Sequence, residues 1–319
     1  VTFCSLISFY NKSKEVDYMI IKEVIQNVKN YHSGNDYHNG TDFTVKPIDE
    51  ETTRDKVLYG DVEKECTGVV TCIWASSNVI RKAHELGANL IISHEALFWN
   101  HGDHIDWLED NEIFQKKKAL LDETGITVWR DHDYIHSGIP VDGKLYDGIF
   151  YGLVKKLGWE KFAATNDGEI QYIVVNNGKN QRFLDFYFPN IKASDLAIEI
   201  RDKLGMGGIR IIGDPDTIVK HARIASHIIG PNDNGMLSVT DKDQVDCLLT
   251  MELTDFTVNE YIRDSAELGH PRCIISVGHF NLEQPGMEYA VKWLPEAIGD
   301  TSIPVTFVSD GDVFKFITK

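Results

Sequence analysis

Two periods of apolar and polar residues take turns along this chain, and their alternation predicts an α/β fold. Apolar positions at helical spacing mark Glu15 to Asn30, Val79 to Leu86, Ile113 to Thr124, Tyr146 to Leu157, Ala193 to Leu204, Asn259 to Leu268 and Gly286 to Leu294. Short apolar runs of strand length stand between them. They are Gly68 to Ala75, Leu90 to Ser93, Ile126 to Trp129, Ile170 to Val175, Phe183 to Phe188, Ile209 to Ile212, Arg223 to Ile229, Cys247 to Met251, Cys273 to Val277 and Pro304 to Val308. Ser76 and Ser77 cap the helix that follows the first strand, and Leu90 to Ser93 closes a β-α-β unit with a right-handed crossover. The stop signal at Gly158 divides the chain into an N-terminal α/β lobe, 1–158, and a C-terminal α/β lobe, 159–319. Strands alternate with helices in both halves, which gives two related α/β lobes with mixed or mostly parallel sheets. Tyr31 to Lys56 is rich in Gly, Asn, Asp and Thr without periodicity and reads as a long loop or insertion.

Within this alternation one grammar occurs three times: a helical run, a glycine or loop, a short apolar strand, then a histidine. The three copies are HELGANLIISHE ending at His94 and Glu95, DETGITVWRDH ending at His132, and AELGHPRCIISVGH ending at His279. Ligands bind at the carboxyl ends of parallel strands in open α/β sheets, so these ends are candidate metal-ligand positions in a cleft between the lobes. Two further spacings extend the set. His132 and His136 lie four apart, as do His279 and Glu283, and four residues along a helix share one face. The six donors His94, Glu95, His132, His136, His279 and Glu283 suffice for two divalent ions. Imidazole and carboxylate without thiolate select zinc, iron or manganese over copper(I) or an iron–sulfur cluster.

Composition narrows the alternatives. A formal charge of −17 repels phosphate backbones, and the densest basic run, Lys116 to Lys118, falls in a helical stretch, so no nucleic-acid partner is expected. No apolar run reaches the length of a membrane span, and Val1 to Tyr10 lacks the basic start of a secretory signal; the expected location is the cytoplasm. Five cysteines without a C-x-x-C pair read as buried thiols. The glycines of LGMGGIRIIGD precede a strand, the wrong order for a phosphate cradle. In WNHGDHIDW, the residues His101, Asp103 and His104 form a polar loop beside the expected site, with His101 and His104 as candidate proton-transfer groups. Glu252 and Asp310, near strand ends, are further acids within reach of such a cleft.

The run GANLIISHE followed by ALFW, the segment TGITVWRDHDYIH and the closing ISVGHFNLEQPGMEYAVKWL resemble the dinuclear metal centre hexameric protein family. Its members are also described as NGG-one-interacting factor three-like proteins and, in bacteria, as homologues of GTP cyclohydrolase type 2. The resemblance spans about Cys66 to Leu294 and includes VDCLLTME, Val245 to Glu252. Two positions depart from the family pattern. The family has consecutive histidines where this chain has His94 and Glu95, and H-T-N-L-D where this chain runs from His132 to His136. One change removes an imidazole and the other restores one. The resemblance implies two metal ions, a small-molecule substrate, a homohexamer and a cyclohydrolase or other metal-dependent hydrolase activity. The alternatives are a non-catalytic metal-handling protein and a regulatory interaction scaffold.

Overall fold

The computed structural model describes residues 18–36, 46–164, 174–176, 179–181, 184–225, 227–230 and 234–317. Cys4, the start of the first expected helix and most of the expected strand Ile170 to Val175 lie outside them. Two five-stranded sheets organise the fold, each flanked by helices.

The first sheet runs in the order Val305–Phe307, Val69–Cys72, Leu90–Ser93, Thr127–Arg130, Val57–Tyr59. The first four are parallel and Val57–Tyr59 is an antiparallel edge. Every residue of its three central strands is buried, as expected for apolar strands covered on both faces. The second sheet has the order Leu184–Lys192, Ile218–Ile224, Cys247–Thr250, Cys273–Ser276, Arg210–Gly213, with three parallel strands inside two antiparallel edges. The α/β class with two sheets, mostly parallel in the first and mixed in the second, is as the pattern predicts. Cys66, Cys72, Cys247 and Cys273 are free, buried thiols, and no helix among the described residues is long and apolar enough to cross a membrane.

The chain's last strand differs from the two-halves division. Val305–Phe307 pairs with Val69–Cys72, and helix Leu294–Ile298 packs on helix Ile21–Tyr31, so the C-terminal segment returns to the N-terminal sheet. Pairing over that separation has no local signal. A second difference concerns the helix expected from Gly286. It starts at His279, runs to Ala290 and passes through Pro285, because packing against helix Gly148–Leu157 outweighs the one N–H that proline removes. That start carries His279 and Glu283 onto the inter-lobe face.

Candidate metal centre

Strands Leu90–Ser93 and Thr127–Arg130 are in parallel register with Ser93 beside Arg130. The residues that follow, His94 and Glu95 on one strand and Asp131 and His132 on the other, therefore emerge together at the carboxyl end of the sheet. Helix Asp133–Ser137 then turns His136 back beside His132. The rings of His94 and His132 stack at 4.6 Å, and His136 lies 5.0 Å and 5.2 Å from them. Helix His279–Ala290, which packs on helix Gly148–Leu157 and on strand Val69–Cys72, brings His279 and Glu283 on one face. Glu283 Oε2 is 3.4 Å from His94 Nε2 and 2.9 Å from His279 Nε2, while Glu95 Oε1 is 3.4 Å from His279 Nε2. All six expected donors meet. Among the described residues, His94, His132 and His136 offer ligand atoms within 4.8 Å of one another, and so do His94, Glu95 and Glu283.

A second layer fixes the imidazoles. Each Nδ1 has an acceptor: the Asp131 carbonyl for His94 at 3.0 Å, Asp133 Oδ1 for His132 at 2.9 Å, Asp147 Oδ2 for His136 at 2.9 Å and Glu252 Oε1 for His279 at 2.5 Å. A proton committed to Nδ1 leaves Nε2 as the basic nitrogen, the arrangement typical of metal-ligating histidines. Three of the rings differ in charge preference. Burial pushes His132 well below the ordinary imidazole range despite Asp133. For His136 burial also opposes the proton, but Asp147 outweighs it and raises the ring to about 9. Burial is likewise overcome at His279, where the Glu283 charge and the bond to Glu252 hold the ring far above its usual range.

Several residues without a sequence-level role complete the centre. Arg130, fully buried, donates from Nε to the His94 carbonyl, from one terminal nitrogen to Glu95 Oε2 at 3.0 Å, and from the other to the His101 carbonyl and Asp103 Oδ2. Glu95 Oε2 is thus engaged and Oε1 faces the cluster. Tyr31 to Lys56, read as loop or insertion, contributes structurally: Asp55 accepts the backbone N–H groups of His132, Asp133 and Tyr134, capping the helix that carries His136. Thr53 and Arg54 hold Asp133 in turn. Of the two candidate proton-transfer groups, only His101 stands at the centre, with Nδ1 3.3 Å from Glu95 Oε2 and its ring 5.6 Å from His132. His104 is exposed farther along the loop, where its carbonyl accepts from Trp107, and no hydrogen bond or ion pair joins its ring to the cluster. Glu252 belongs to the site through His279; Asp310 is exposed past Val305–Phe307.

The donor set fits a divalent ion by a test independent of residue type. His94 Nε2, Glu95 Oε1 and Glu283 Oε2 are buried with no hydrogen-bond partner outside the cluster; their neighbours are one another and His279 Nε2. A buried polar atom left unsatisfied costs about 1–3 kcal/mol, and a divalent ion shared by these carboxylates and imidazole nitrogens would satisfy them together. The outer layer makes a further prediction. Asp147 caps helix Gly148–Leu157 with Oδ1 and holds His136 with Oδ2. Asp147→Asn keeps the cap but presents an amide N–H₂ to His136, moving its proton to Nε2. Ion affinity, measured by chelator competition, is expected to fall by about 10–100-fold with little change in melting temperature.

The chain as a whole has relatives. Two curated clostridial relatives, each described as a GTP cyclohydrolase 1 type 2 homolog, share 22% identity over 81% of this chain and 87% of the Clostridium acetobutylicum protein, and 24% over 86% of this chain and 95% of the Clostridium perfringens protein. The solved structure of a Staphylococcus aureus hypothetical protein, SA1388, superposes with a TM-score of 0.64 at 17% identity, covering 94% of this chain and 100% of that one, and so shares the fold. The profile of one family spans residues 50–312, both lobes and all six donors, and the chain belongs to that family, Duf34/NIF3 (NGG1p interacting factor 3).

Proposed function

We propose that this chain is a metal-dependent hydrolase of a small-molecule substrate, with two ions of the zinc, iron and manganese group held by His94, Glu95, His132, His136, His279 and Glu283. The observation that supports the reading is the convergence of two carboxylates and four imidazoles, their buried donor atoms facing one another with no hydrogen-bond partner outside the cluster, each Nδ1 held by an outer acceptor. Divalent ions in such a site supply Lewis acidity and a water that loses its proton near neutral pH. The chain's own residues do the rest. The stacked rings of His94 and His132 wall the centre from bulk water, and Arg130 keeps Glu95 in place while tying down the loop that bears His101. His101, half-exposed beside Glu95, is positioned to pass a proton between the centre and solvent. The names of the clostridial relatives favour a cyclohydrolase-type reaction on a heterocyclic ring, with phosphoester and amide hydrolysis as the related classes. Family resemblance adds a homohexameric assembly, and a cytoplasmic location is the default expectation from the sequence.

The test is a substrate panel of nucleotides, phosphoesters and cyclic amides, run with metal-stripped protein and with protein reloaded with zinc, iron or manganese. Turnover is expected only after reloading, and His101→Ala is expected to slow it by about 10²-fold or more. A reloaded protein that turns over none of the panel would favour the metal-handling reading.

A further inference from the structure

Metal-capable side chains continue beyond the six donors. His227 and Glu252 face each other in a short parallel pair, His227–Ile228 with Glu252–Leu253, whose register sets the two residues opposite one another. His227 Nδ1 lies 2.5 Å from Glu252 Oε2, and Glu252 Oε1 lies 2.5 Å from His279 Nδ1. His227, Glu252 and His279 also bring ligand atoms within 4.8 Å of one another. From solvent to centre, side-chain exposure falls stepwise: 48% at His227, 39% at Glu252, 25% at His279, 5% at Glu283 and 0% at His94. No step along this line of nitrogen and oxygen donors exceeds 3.4 Å.

On the other open side of the centre the carboxylates are already engaged. There His101 is exposed, but the Arg130 guanidinium stands behind it, 3.2 Å from His101 Nδ1 and 3.0 Å from Glu95 Oε2. Arg130 also pairs with Asp103 Oδ2 at 3.0 Å, so both carboxylates on that side are already neutralised by a fixed guanidinium and are poor first ligands for a cation. On the His227 side the carboxylate at the mouth, Glu252, is held by the imidazoles of His227 and His279, groups that can themselves ligate a cation, in a chain of net charge −17.

We propose that His227 and Glu252 form an ion-loading station, a surface site that captures a divalent cation and passes it by ligand exchange through His279 to the buried donors. The inference rests on the metal reading of the centre. His227 and Glu252 supply one imidazole nitrogen and one carboxylate oxygen, a pair suited to divalent ions of the zinc and manganese type with water completing the coordination shell. Such a station changes how fast the centre fills, and leaves unchanged how many ions it holds.

Stopped-flow absorbance of cobalt(II) entering metal-stripped protein, followed by elemental analysis of the product, tests it. His227→Ala removes an exposed side chain, and its expected signature is about a tenfold slower uptake at limiting cobalt(II), as expected for loss of one partner's share of capture affinity. The final cobalt content is expected to equal that of the wild type, and His84→Ala, which removes an exposed imidazole on helix Ser77–Glu85, is expected to load at the wild-type rate. Uptake by His227→Ala as fast as wild type overturns the loading station and leaves the metal reading standing. Absence of cobalt uptake by the wild type overturns the metal reading and the station with it.

Discussion

Glu283→Gln is expected to empty the centre. Glu283 joins two of the imidazoles, 3.4 Å from His94 Nε2 and 2.9 Å from His279 Nε2, and it is 4% exposed. Burial opposes its charge, yet His279 and His94 hold it ionised, well below the ordinary carboxylate range. Glutamine preserves the shape and removes the charge, so an incoming ion meets a weak amide donor where a shared anion stood. Losing an outer partner costs about 10–100-fold in affinity, and losing this inner donor should exceed that. Elemental analysis of protein purified in the absence of chelator is expected to show metal in the wild type and almost none in the variant. Glu288→Gln, on the same helix but paired with Lys156 at the surface, is expected to retain the wild-type content. Full occupancy in Glu283→Gln would remove Glu283 from the ligand set.

The centre was legible in sequence wherever its signal was local. An apolar run ending in histidine is a property of a few adjacent residues, and a spacing of four on a helix is likewise local, so His94, Glu95, His132, His136, His279 and Glu283 could all be named. What orients them is spread across the chain. Asp55 reaches His132 across 77 positions, and Glu252 reaches His279 across 27. Neither pairing leaves a mark in local periodicity, and the segment containing Asp55 looks like insertion because capping needs polar residues without a repeat. Arg130 was hidden for the same reason. It ends an apolar strand, where an arginine reads as a solvated terminus, whereas its guanidinium is fully buried among the His94 carbonyl, Glu95, His101 and Asp103. His227 was read as part of a longer strand, Arg223 to Ile229. The structure breaks that run after Ile224 and starts a new pair at His227, which places the imidazole against Glu252.

Gly286→Ala is expected to destabilise the protein and release its ions without touching a ligand. The helices Gly148–Leu157 and His279–Ala290 cross with Gly152 against Gly286. A Cβ on Gly286 would collide with the Ile149 Cα and stand 2.8 Å from the Ile149 carbonyl oxygen, while one on Gly152 would lie 2.6 Å from both Gly286 Cα and the Pro285 oxygen. These are backbone contacts, so no rotamer change relieves them and the helices must separate. Helix propensity alone would make glycine to alanine stabilising by about 1 kcal/mol; overpacking of this kind costs about 1–3 kcal/mol or more and reverses the sign. The movement also matters chemically. One helix begins at Asp147, which holds His136, and the other begins at His279 and carries Glu283 one turn later. Pushing them apart separates His136 from His279 and Glu283 by a distance that fixed imidazoles cannot follow. Gly235→Ala, in helix Asn234–Lys242 with open space around the added methyl, is expected to be neutral or slightly stabilising. Thermal melts and metal content of both variants provide the check: a Gly286→Ala protein as stable and as metal-replete as the wild type would mean that the crossing has slack that the glycine contact denies.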